Sequence, residues 1–73
     1  MTNEATKLKI LGQNIQKARK LKKLSQNTLA EKLDISREHL AKLETGKRRI
    51  SLKLLFLLAE TLEIEEAQLF VWQ

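Results

Sequence analysis

Cysteine is absent, so no disulfide can brace the fold and no thiolate can hold a metal. Proline is absent as well, and glycine occurs only at Gly12 and Gly46. So few turn formers argue against hairpin-built β folds and leave helices. Aromatics are nearly missing: Phe56, Phe70 and Trp72 are all there are. No apolar run reaches the ~18 residues of a membrane span. The opening MTNEATKLK lacks the apolar segment of a secretory leader. A soluble cytoplasmic protein with no membrane partner is therefore expected. His39 stands alone as a histidine, and there is neither a Gly-rich phosphate loop nor a paired-carboxylate constellation. No enzyme, metal, cofactor or small-molecule ligand is expected.

What is present is leucine and positive charge. The 73 residues make one domain, 1–73, whose first ~5 residues are expected to be flexible. A chain this short buries only about 60% of the surface its unfolded form exposes, so its stability is marginal. The net charge is +5, unevenly placed. Residues 1–53 hold all 14 basic residues and five acids, a balance of +9, whereas residues 54–73 hold four glutamates and nothing basic. A basic body with an acidic end points one side at a polyanion.

The apolar spacing is helical throughout. Leu8, Leu11, Ile15 and Ala18 share one face and predict a helix over about 6–22. Ser25 then caps a helix from 26 to about 33, and Ser36 caps one from 37 to about 44, because each hydroxyl can accept from an orphaned amide of the first turn. Thr45-Gly46 ends the third helix. After the basic stretch KRRI, Ser51 caps a fourth helix over about 52–62, and a short fifth spans about 65–71. The expected fold is all-α, a five-helix bundle.

The informative unit runs from Gln26 to Leu43. Two helices too short to be stable alone are joined by Asp34, Ile35 and Ser36. Leu29, Leu33, Leu40 and Leu43 line their shared core, Ala30 permits close approach, and Ile35 plugs the angle between them. This is the spacing of a helix-turn-helix.

LSQNTLAEKLDISREHLAKLETGKRRIS closely resembles the Cro/repressor-type, lambda-repressor-like helix-turn-helix family over roughly residues 11–70. Ser25-Gln26, Leu29-Ala30, Ile35-Ser36 and Glu44 with Gly46 carry the likeness, supported by Leu11-Gly12, Ile15 and Arg19. The chain departs from the family where Lys23 and Asp34 replace glycine, where Ile50 replaces proline, and where Leu54 and Leu57 add apolar groups to the fourth helix. Asp tolerates a left-handed backbone; Lys23 would be strained in it.

The resemblance implies that the third helix enters the major groove of double-stranded DNA. Its outward residues would then read bases. The Arg37 fork suits guanine, Glu38 can accept from cytosine, and Lys42 reaches a base or phosphate. Ser36 and His39 lie near the helix start. Gln26, Asn27, Thr45, Lys47 and Arg49 would hold phosphates, fixing register without reading sequence. Gln26 would also brace the recognition helix. Arg19 and Glu44 would form a structural ion pair.

One short recognition helix reads about half an operator, so a symmetric homodimer on a palindromic site is expected. Leu54, Leu57, Val71 and Trp72 are its expected interface, facing away from DNA. The reading is a sequence-specific transcriptional regulator, such as a repressor, from a bacterium or phage. Its size resembles small phage repressors and restriction–modification controller proteins. A protein-interaction module or an antitoxin on the same fold is the competing reading. The basic loop beside Arg37 and Lys42 argues against the first, and the absence of a segment for toxin neutralisation argues against the second.

Overall fold

The computed structural model describes residues 3–71. Four helices, α1 (Glu4–Leu21), α2 (Gln26–Leu33), α3 (Arg37–Glu44) and α4 (Leu52–Leu62), precede one 3-10 turn, Glu66–Phe70. No strand occurs among the described residues. α1 begins within the segment expected to be flexible, because Asn3 Oδ1 accepts the Thr6 amide at 2.9 Å and caps it.

The other helix starts use the same device. Ser25, Ser36 and Ser51 hydroxyls accept the amides of Thr28, His39 and Leu54 at 3.0–3.1 Å. Each such cap stabilises its helix by about 1 kcal/mol. The helix ends share a second device, a left-handed residue followed by an amide that bonds back across the last turn. Leu24, Ile35, Lys47 and Ile64 donate to the carbonyls of Arg19, Ala30, Lys42 and Ala59. The left-handed residues are Lys23, Asp34, Gly46 and Glu63, with φ of 58°, 56°, 74° and 57°. Three of them carry a Cβ, so each costs roughly 1 kcal/mol or more.

The expected fifth helix is instead a single 3-10 turn. Glu65 and Gln68 form a capping box around its start. The carbonyls of Leu69 and Val71 accept from the Asn14 carboxamide nitrogen at 2.9 and 3.1 Å. Leu69 is thereby seated fully buried against α1.

The core is almost entirely leucine: Leu11, Leu29, Leu33, Leu40, Leu43, Leu54, Leu55, Leu58, Leu62 and Leu69, with Ile15 and Ala30. α3 packs on both α1 and α2, so its inner face is fixed from two sides while its outer face stays open.

Candidate nucleic-acid interface

Asp34 makes the tight corner between α2 and α3. Its left-handed backbone turns the chain, and the Ile35 amide closes the turn onto Ala30. Ile35 itself is half-buried against the core. Leu40 and Leu43 then point inward from α3. Arg37, Glu38 and Lys42 fall on the exposed side, with His39 and Ala41 half-buried at its margins.

Among the described residues, Arg37, Glu38, Lys42, Lys47 and Arg48 have no side-chain hydrogen bond or ion pair within the protein. Ser36 has its oxygen committed to the His39 amide, so its hydroxyl hydrogen is what it can offer outward. The Thr45 hydroxyl donates back into α3, to the Ala41 carbonyl at 3.0 Å. Asn27 is exposed at the start of α2. Arg49 is exposed but engaged: its Nε donates to Glu4. Partial burial, then the nearby charges of Arg48 and Lys42, hold the His39 imidazole below its ordinary pKa of 6.5.

Behind this surface lies a buried polar network. Arg19 Nε donates to Glu44 Oε2 at 2.7 Å and Nη2 to Oε1 at 3.1 Å, a two-pronged pair. Arg19 Nη1 also donates to the Leu24 carbonyl at 2.8 Å. Gln26 Nε2 donates to Glu44 Oε1 at 3.0 Å. The side chains of Arg19 and Glu44 are only 9% and 1% exposed. One carboxylate at the end of α3 is therefore tied to α1 and to the first residue of α2, and no buried polar side-chain atom among the described residues lacks a partner.

α1 and α3 approach more closely than apolar spacing alone predicts. A Cβ placed on Gly12 would lie 2.4 and 2.5 Å from the carbonyl oxygens of Leu43 and Glu44. A Cβ on Gly46 would lie 2.6 Å from Lys9 Cα. Glycine at these positions lets backbone press on backbone and seats the end of α3 against α1. A lone glycine in the middle of a helical stretch is the sequence signal for this approach. Asn14 and Glu4 gave no signal at all, since a polar residue on an amphipathic helix is ordinarily solvated.

The expected interface residues need correction at Leu54. It is 9% exposed and belongs to the domain's own core. The reason is that α4 packs against α2, so Leu54 and Leu57 line a groove with Leu33 and Ile35 instead of an outward face. Leu57 is half-buried, Val71 is exposed, and Trp72 lies outside the described residues. The apolar groups that α4 does expose are Leu52 and Phe56.

Residues 15–69 match the helix-turn-helix family HTH_3, of the Cro/C1 type. Among solved structures, the chain is 38% identical to the restriction-modification controller protein C.AhdI from Aeromonas hydrophila, with a TM-score of 0.82 over 86% of this chain and 96% of that one. The clp gene regulator ClgR from Corynebacterium glutamicum is 28% identical, with a TM-score of 0.80 over 84% of this chain and 65% of that one. An HTH_3 family transcriptional regulator from Vibrio cholerae, 20% identical with a TM-score of 0.83, shares the fold over 93% of this chain and 38% of its own. A search of curated proteins finds no significant match.

Proposed function

The chain belongs to the Cro/C1-type helix-turn-helix family, and on that premise we propose that it is a DNA-binding transcriptional regulator that reads an operator half-site with α3. The observation that carries this reading is the state of α3. Its inner face is fixed by the core and by the Glu44 network, while Arg37, Glu38 and Lys42 stand exposed without side-chain partners among the described residues. A rigid helix with unpaired side chains suits base edges, because its backbone needs no ordering on binding and its polar groups have no internal bond to give up. Lys47 and Arg48, in the loop after α3, supply cations for the flanking phosphates. The 38% identity to a restriction-modification controller of nearly the same length favours a regulator of that kind.

The regulator works as a homodimer on a palindromic site. Two copies related by a two-fold axis place their α3 helices ~34 Å apart on one face of the duplex. The exposed Leu52 and Phe56 of α4, with Val71, are apolar groups available to join them. Glu60, Glu63, Glu65 and Glu66 give this end of the chain its negative charge, so it faces away from DNA.

Selection of bound duplexes from random DNA tests the reading and yields the operator. On the selected site Arg37→Ala should weaken binding by about 1–3 kcal/mol and relax preference at one base position. Equal losses on selected and random duplexes would overturn base reading. Sedimentation at micromolar concentration tests the dimer, and a wild type that stays monomeric on a palindromic site would refute it.

A further inference from the structure

We propose that Glu4 occupies, in the free protein, the place that a DNA phosphate takes at Arg49, so that the first turn of α1 restrains the phosphate-binding loop. This rests on the DNA-binding reading above and adds to it an internal competitor.

The loop after α3 is joined to α1 at two points. At Gly46 its backbone presses against Lys9, where even a Cβ would not fit. At Arg49 the guanidinium Nε donates to the Glu4 carboxylate. Lys47 and Arg48, the neighbouring cations of the same loop, have no such partner among the described residues. One of the three loop cations is thus neutralised from within the chain.

A carboxylate and a phosphate diester present the same chemistry to a guanidinium: paired anionic oxygens that accept charge-assisted hydrogen bonds. They compete for one donor set. Glu4 is kept in place because it opens α1, where a negative charge is favoured by the helix dipole, and because Asn3 caps that turn. The pair can also be exchanged. Its side chains are 80% and 60% exposed, so water and a phosphate both reach it, and salt screens it.

The test is a cycle of Glu4→Gln, Arg49→Ala and the double variant. Affinity for a random-sequence 20-base-pair duplex is read by fluorescence anisotropy at low salt, with far-UV circular dichroism confirming the helices. Glu4→Gln should tighten binding about two- to fivefold, the range an exposed ion pair spans, and Arg49→Ala should weaken it. The decisive result is that Glu4→Gln has no effect once Arg49 is alanine. An unchanged affinity in Glu4→Gln overturns the proposal. A gain that persists without Arg49 also overturns it, because Glu4 would then merely repel phosphate. The DNA-binding reading fails separately: there the wild type shows no salt-dependent binding and Lys47→Ala changes nothing.

Discussion

Glu44→Ala should be among the most damaging single substitutions in the domain, and its cost can be worked from the network. The carboxylate is almost wholly removed from water and accepts three hydrogen bonds, two from Arg19 and one from Gln26. Its loss leaves Arg19 with the Leu24 carbonyl alone and Gln26 with no carboxylate to donate to. Breaking a buried ion pair from one side costs about 3–5 kcal/mol, because the surviving charge stays desolvated. At 0.05–0.15 kcal/mol per residue, a domain of this length has roughly 4–11 kcal/mol in total. A loss of 3 kcal/mol would lower Tm by roughly 12–24 °C. Arg19→Ala should cost a similar amount for the mirror-image reason. The double variant should cost clearly less than the two together, with a coupling of about 2–3 kcal/mol, since neither charge is then stranded. Urea unfolding of all four proteins, followed by circular dichroism at neutral pH, measures each term. Losses that add to within about 0.5 kcal/mol would show that the two residues do not act on each other.

Gly12→Ala should destabilise the domain by more than the few tenths of a kcal/mol usual at a surface site, since the added methyl meets the Leu43 and Glu44 carbonyls at 2.4–2.5 Å; a neutral or higher Tm would refute the close approach. Lys23→Gly should do the opposite, raising stability by about 0.5–1 kcal/mol in chemical unfolding, because glycine relieves a left-handed backbone at φ 58°; a loss would mean that Lys23 is not strained. The His39 imidazole is held below 6.5 by burial, then by Arg48 and Lys42, so between the two values the unfolded chain binds more protons than the folded one. Its contribution to stability is therefore complete above pH 6.5 and lost as pH falls through the lower folded-state value. His39→Gln should flatten the stability–pH profile in that interval, measured by urea midpoints from pH 7.5 to 5.

Much of this architecture could be read from residue order. Three helix starts, at Ser25, Ser36 and Ser51, are written as a small polar residue with a free acceptor ahead of apolar periodicity, and the structure uses all three; the fourth, Asn3, lies in the segment expected to be flexible. The corner of the helix-turn-helix was also legible, because Asp34 is among the few residues that tolerate the conformation needed there. Glu63 was not legible as a helix terminator, since nothing in a glutamate signals a left-handed turn; the end of α4 is decided by Ile64 needing to return to the core. The fifth helix was misread for a similar reason. Leu69 and Phe70 end a short stretch with no helix breaker, but whether five residues complete an α-turn depends on which donors meet their carbonyls, and Asn14 lies 55 positions away from Leu69.

The misplacement of Leu54 separates what periodicity can and cannot decide. Helical spacing told which residues of α4 share a face, but not how wide a face the domain covers. In a 73-residue chain the second helix reaches far enough round to bury Leu54 as well as Leu55, Leu58 and Leu62. The buried arc thus exceeds the narrow stripe of a helix packed on one neighbour. The same argument explains why α3 suits recognition. Enclosed by α1 and α2, it gives up its inner residues to leucine packing and its terminal carboxylate to Arg19 and Gln26. Its inner face and its C-terminal end are thereby both held. What remains outward is a short row of exposed side chains, Arg37, Glu38 and Lys42, carried on a fixed helix. Rigidity of that kind is what turns three exposed side chains into a register that can distinguish one base sequence from another.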